Sequence, residues 1–294
     1  MDIRPPEYLI LAGRPVGDIC EVAVHTTVVA AGRHRIEANL FGDGSPAVVI
    51  EPSFGGSAAE WRSIAETLGE QTRVVTYDRA PYGASSPATD RRTPADIAAD
   101  LHAVLPALGV RGPLILTGFS AGGMYMRTYA ARYPDEVAGM VLIESSHEGQ
   151  APLLNEVFTW KVKLRELLFP PRVIFSRRNW RAGADRRSLL REWRAFQSLT
   201  AADRPLGPGA LGDKPLMVLT RADGGPYGGR QWQLWHGFHT EQARLSANSR
   251  HVISSRADHA LYESDPELVI AAISEVVRSA RTGTSLRAPG VSRA

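Results

Sequence analysis

A single cysteine, Cys20, stands in this chain of 294 residues. One cysteine excludes an intramolecular disulfide and a thiolate metal cluster, and it fits a reducing compartment. No apolar run approaches the roughly 20 residues of a membrane-spanning helix, so no integral membrane segment is expected. The opening stretch, MDIRPPEYLILAGRP, lacks the apolar core of a signal peptide, and the expected location is cytoplasmic. The net charge is only +3. With no recognised binding motif beside it, that charge does not point to nucleic acid. There is no internal repeat. His236 and His239 are three apart on a helical stretch, but no carboxylate pattern or cysteine set accompanies them, and no metal site is expected.

What is present is material for a large core: 44% of the residues are hydrophobic. Between residues 21 and 51 the chain alternates like two strands, breaks at Gly42-Asp43-Gly44, and continues into a buried third strand, AVVIE. Ser57 and Glu60 have capping-box spacing, which predicts a helix start. TRVVTYD reads as strand four. Thr93-Pro94 predicts the N-cap and first residue of a helix that follows it. PLILT and GMVLIE read as strands five and six, PLMVLT and RHVIS as strands seven and eight, and DPELVIAAISEVVRSAR as a closing helix. Strands alternating with helices predict a mostly parallel sheet covered on both faces, with an antiparallel leading edge. Residues 1–149 and 213–281 are the expected core, residues 150–212 a helical cap inserted between strands six and seven, and residues 282–294 a disordered tail.

The apolar run of strand five stops at Gly118-Phe119-Ser120-Ala121-Gly122 and a helical pattern begins at once. This is the G-x-S-x-G pattern of a nucleophile elbow. A serine on so sharp a turn needs neighbours nearly free of side chain two positions away. The N–H of the next residue, Ala121, and the helix N-terminus then face a developing oxyanion. A serine hydroxyl needs a base. His259, in the loop between strand eight and the closing helix, can lean over the same sheet edge. His147, just past strand six, is its one rival. His25, His34 and His251 fall in strands and His102 on a surface helix. The base needs an acid, and two stand at the right edge: Glu144, at the end of strand six, and Asp223, three residues past strand seven. A second oxyanion donor is expected from the loop EPSFGGSAAEW, where Phe54 N–H is the candidate. Asp78 and Arg79, in YDRAPYGASSP, read as a structural ion pair. Phe119 and Trp160 are candidates for contact with substrate.

With the strand order, elbow and histidine in hand, residues 22–281 resemble the α/β-hydrolase superfamily. More narrowly they resemble a bacterial branch marked by YDRAPYGAS, GFSAGG, VLIESSHEGQ and LSANSRHVISSRADHALYESDPELV. The resemblance implies a Ser–His–acid triad built on Ser120 and His259, with no cofactor. Three departures stand out. Pro52-Ser53 replaces the usual His-Gly of the oxyanion loop, Asp258 replaces a glycine before the histidine, and the acid is ambiguous. The superfamily favours Asp223, the narrower branch Glu144, and the balance falls narrowly to Glu144.

From residue 160 to 194 there are eleven basic residues against three acids, so the rest of the chain is net negative. Aromatic and aliphatic residues interleave with the bases. Such a cap would set an apolar underside over the serine and a basic outer face toward an anionic substrate or an acidic carrier protein. The expected activity is a serine hydrolase cleaving an ester, thioester or amide of a small apolar or aromatic molecule. The alternatives are acyl transfer, cyclisation or lyase chemistry on the same scaffold, or a non-catalytic ligand-binding protein.

Overall fold

The structure is a computed structural model, and it describes residues 24–88, 90–150, 186–223 and 229–286. Eight strands form one sheet in the order β1-β2-β4-β3-β5-β6-β7-β8. They are β1 (Val24–Ala31), β2 (His34–Phe41), β3 (Ala47–Glu51), β4 (Val74–Asp78), β5 (Leu114–Phe119), β6 (Val137–Ile143), β7 (Leu216–Thr220) and β8 (Ser249–Ile253). β2 pairs antiparallel with both β1 and β4, and the remaining pairs are parallel. The expected fold, including its antiparallel leading edge, is therefore the observed one.

The central strands are apolar almost throughout because both faces are covered. Val49, Val75 and Leu116 face a cluster with Leu101, Leu105 and Tyr129, from α2 (Pro94–Ala107) and α3 (Ala121–Arg132). Val48, Ile50, Val74 and Ile115 face the opposite cluster, with Ile64 and Leu68 of α1 (Arg62–Gly69) and Ile273 and Val276 of α7 (Pro266–Thr282). The parallel crossovers bring the C-terminal ends of β3, β5, β6, β7 and β8 to one edge, where such sheets carry their sites.

Thr93 caps α2 as expected, in a full capping box with Asp96 and with Pro94 at the first helical position. The Ser57–Glu60 box does not form. The chain winds a 3-10 turn over Ala58–Trp61 before α1, and the Ser57 side chain caps nothing. The buried Asp78 carboxylate takes the Ala58 N–H instead, at 2.7 Å. That contact also corrects the Asp78–Arg79 pair, because the Arg79 ion pairs go to Glu51 and Glu192.

Two boundaries move. The closing helix runs to Thr282 and ends on Gly283 in the left-handed conformation; Leu286 beyond it is buried in the core. Residues 282–286 thus belong to the body, and 287–294 lie outside the described residues. Of the expected cap, residues 151–185, Trp160 among them, also lie outside the described residues. Its described part opens with α4 (Arg186–Gln197). Leu206 and Leu211, beyond α4, join the sheet core, so the body resumes before residue 213.

Candidate active site

Ser120 follows β5 directly, with φ 53° and ψ −119°, a left-handed conformation that a side chain rarely adopts. Glycines permit it. A Cβ on Gly118 would lie 2.6 Å from the Gly122 carbonyl oxygen, and one on Gly122 would lie 2.3 Å from the Glu51 carbonyl oxygen. The elbow is therefore wedged against the end of β3. Gly123 is needed as well, since its Cβ would meet Ser145 Oγ at 2.1 Å. The half-buried Ser120 hydroxyl lies 3.2 Å from His259 Nε2.

On its other side, His259 Nδ1 lies 2.9 Å from Glu144 Oε2. Ser120, His259 and Glu144 thus form one hydrogen-bonded chain. Asp223 is exposed and is not part of it. Nor is His147: its Nδ1 accepts from Gly149 N–H and its ring stacks on Phe238. Asp258 points outward and accepts from Ala260 N–H, which shapes the loop that carries the histidine.

Glu144 is fully buried and, like Ser120, has a positive φ, 46°. Its Oε1 accepts from Arg221 N–H at 2.8 Å, and its Oε2 accepts from Trp235 Nε1–H at 3.0 Å as well as from His259. Burial alone would raise this carboxyl. The His259 hydrogen bond, the nearby His239 and His259 rings and the Arg221 N–H outweigh it and hold the group below its ordinary pKa. A charged Glu144 suits the acid of a triad, which orients the base without taking its proton.

The strand end bearing Glu144 is gripped by one face of α5 (Arg230–Gln242). Trp235, His239 and Gln242 fall at helical spacing. Trp235 reaches Glu144, His239 Nε2 reaches Ser145 O at 3.1 Å, and Gln242 Nε2 reaches Ser146 O at 2.9 Å. His239 Nδ1 meets Thr220 Oγ1, which also meets His251 Nε2, both at 2.7 Å. Burial drives both histidines down to about 4. The pair His236–His239, weighed as metal ligands, is thus divided: His239 braces the chain beside Glu144 and His236 stacks on His251.

Phe54 and Ala121 lie together in an apolar cluster with Met124, Tyr125 and Leu189 of α4. Among the described residues neither Phe54 N–H nor Ala121 N–H has a hydrogen-bond partner. Trp193 of α4 meets the Phe54 ring edge-on at 5.8 Å. Phe119 is only 2% exposed and packs among Trp61, Tyr262 and the His259 ring. Its ring belongs to the sheet core and backs the histidine from there.

A family model for the alpha/beta hydrolase fold matches residues 46–250. The chain belongs to this family. Solved relatives agree in fold: this alpha/beta hydrolase superposes on a thermophilic esterase from Thermogutta terrifontis with a TM-score of 0.63 and 22% identity, covering 88% of this chain and 100% of that one. It is also similar to YqjL of Bacillus subtilis, an uncharacterised protein, at 22% identity over 80% of this chain and 85% of that one. The protein named "Probable transporter efuK" of Hormonema carpetanum is 24% identical over 85% of this chain, which spans only 42% of that relative.

Several site residues of this alpha/beta hydrolase were not singled out from sequence. Trp235 and Gln242 had a signal, a polar–aromatic stripe at 235, 239 and 242. Glu192 had another: it is an acid on the apolar face of α4, beside Leu189 and Phe196, in an otherwise basic segment. The fully buried Glu192 carboxylate accepts from Arg79, Tyr82 and Tyr125.

Proposed function

We propose that this protein is a serine hydrolase that cleaves a carboxylic ester, thioester or amide through an acyl-enzyme. The observation that carries the reading is the continuous chain from Ser120 Oγ through His259 to the buried Glu144. In this reading Ser120 attacks the carbonyl carbon while His259 Nε2 takes its proton. The tetrahedral oxyanion rests against the N–H groups of Phe54 and Ala121. His259 then passes the proton to the leaving group, which departs and leaves an acyl ester on Ser120. Water, deprotonated by the same nitrogen, attacks that ester, and collapse releases the acid and restores the serine. Glu144 holds the imidazole and offsets its transient charge. Asp223 has no role in these steps.

The apolar surroundings of the two oxyanion donors (Met124, Leu189, Trp193 and Phe196) suit an apolar or aromatic acyl group. In this reading α4 is the described part of a cap over the serine. The His259 side chain is 39% exposed, which leaves the base open to water and favours hydrolysis over transfer to a second substrate.

The test is rapid-mixing hydrolysis of p-nitrophenyl acetate, butyrate and phenylacetate by the full chain. A burst of nitrophenolate equal to the enzyme concentration, followed by slower turnover and lost in Ser120→Ala, supports the acyl-enzyme. Turnover that survives Ser120→Ala refutes it.

A further inference from the structure

The oxyanion loop lacks the His-Gly pair usual at its start, and a buried arginine stands behind it. Arg79 follows β4 directly and is almost wholly buried. Its Nη1 donates to Glu51 Oε1 at 2.7 Å and, more weakly, to Pro52 O at 3.5 Å. Its Nη2 donates to Ser53 O at 2.9 Å and to Glu192 Oε1 at 2.8 Å, and its Nε reaches the same Glu192 oxygen at 3.1 Å. One planar fork therefore joins the end of β3, the carbonyls of the loop and a carboxylate delivered by α4. A flexible ammonium would not span this set. The guanidinium lies over the rings of Tyr82 and Tyr125, 4.8 and 5.2 Å from their centroids, and both hydroxyls donate to Glu192.

The consequence is geometric. The Ser53–Phe54 peptide is trans, so its C=O and N–H point in opposite directions. Anchoring Ser53 O on Arg79 turns the Phe54 N–H away from the arginine. The end of β3 is held against the elbow, since the Glu51 and Pro52 carbonyl oxygens lie 2.3 and 2.6 Å from where a Gly122 Cβ would stand. Rotation of this one peptide would remove the donor without displacing Ser120, His259 or Glu144.

We infer that Arg79, clamped by Glu192 of α4, is the positioning residue that orients the Phe54 N–H as an oxyanion donor, so that docking of α4 and competence of the oxyanion hole are one event. The inference rests on the hydrolase reading above. Neither Arg79 nor Glu192 touches the reacting atoms; both act through the Ser53–Phe54 peptide. A substrate that seats α4 completes the hole, and one that displaces α4 releases the carboxylate that fixes the arginine.

The experiment compares wild type, Glu192→Leu, Glu192→Gln and Arg79→Lys in the full chain. It measures kcat and KM for p-nitrophenyl acetate, whose short acyl group does not reach the α4 side chains, and the affinity of phenylboronic acid, whose serine adduct puts an oxygen in the oxyanion position. Circular dichroism and melting report folding. Loss of one oxyanion donor costs about 10²- to 10³-fold in kcat. Glu192→Leu should lose kcat on that scale with KM changed less than about threefold, and boronate affinity should fall in parallel. Glu192→Gln, which keeps an acceptor for the fork, should recover most of both. Arg79→Lys should lose kcat at unchanged KM, and it decides the matter if Glu192→Leu does not fold. A folded Glu192→Leu or Arg79→Lys with wild-type kcat and boronate affinity overturns the inference, as does a change confined to KM. A wild type that neither turns over ester nor binds boronate through Ser120 overturns the hydrolase reading, and this inference with it.

Discussion

At the scale of single residues, two side chains among the described residues occupy backbone conformations that L-residues avoid, and both stand in the candidate site: Ser120 at φ 53° and Glu144 at φ 46°. Each is held by its surroundings rather than by its own preference. The competition between Glu144 and Asp223 becomes a difference in hydrogen bonding, since Glu144 meets His259, Trp235 and Arg221 N–H while Asp223 is exposed. Glu144→Gln should therefore lower kcat by about 10³- to 10⁴-fold, as for a triad acid made neutral, and Asp223→Asn should stay within about twofold. Steady-state kinetics on one ester checks both. His239 leads to a prediction about stability. Its folded pKa, about 4, lies below the unfolded value near 6.5. The unfolded chain therefore binds more protons between those values, and the stability owed to neutral His239 is full above pH 6.5 and lost as pH falls toward 4. The difference is roughly 3 kcal/mol. Burial pushes Glu51 the other way, up to about 7, so its contribution falls as pH rises from about 4.5 to 7 and masks the trend in wild type. The effect is read as a difference: urea unfolding from pH 7 to 4 should show wild type losing about 3 kcal/mol relative to His239→Asn.

At the scale of elements, the strand–helix corner is the tightest join in the molecule. Gly122→Ala would set a methyl group against the Glu51 and Pro52 carbonyls, backbone that cannot move aside cheaply. We expect a loss of about 1–3 kcal/mol in stability and a larger proportional loss of kcat, because the same shift displaces the loop that carries Phe54. Thermal melting alongside kinetics checks this. Glycine spacing marked this corner in the sequence. The need for the third glycine, Gly123, does not follow from that spacing, because it comes from Ser145, two residues past the end of β6. Helix α5 was harder still: nothing in the spacing of its histidines, which carry no metal pattern, shows that the fold turns Trp235, His239 and Gln242 together onto residues 144–146. The Ser57–Glu60 box fails for a related reason: Asp78, distant in sequence, holds the Ala58 N–H, the chain winds a 3-10 turn, and the Glu60 N–H donates to the Ser57 carbonyl at 3.2 Å instead of to its side chain. For α4, Trp193→Ala should raise KM for phenylacetate and butyrate esters several-fold while leaving acetate nearly unchanged, which a chain-length series checks.

At the scale of the whole molecule, the mostly parallel sheet and its antiparallel edge could be read because alternating apolar runs and helical periods leave few right-handed parallel arrangements. The acid could be narrowed only to Glu144 and Asp223, with a slight lean to Glu144, because the choice depends on which of two neighbouring strand ends turns inward. The Arg79–Glu192 contact, which joins residues 113 apart in the chain, could not be read. Charge also acts at this scale. The net charge of +3 is small, but the bases gather between residues 160 and 194. If that segment borders the site, kcat/KM for an anionic ester should fall more steeply than for a neutral one as salt rises from 0.01 to 0.15 M, over which the screening length shrinks from about 30 to 8 Å. The central claim is that the GFSAGG elbow holds an activated nucleophile, and reaction with a fluorophosphonate probe followed by peptide mass spectrometry tests it most directly. The account predicts a phosphonyl group on Ser120, formed in wild type, absent in Ser120→Ala, and strongly slowed in Glu144→Gln. A well-folded wild type that remains unlabelled, or is labelled at another residue, would contradict it.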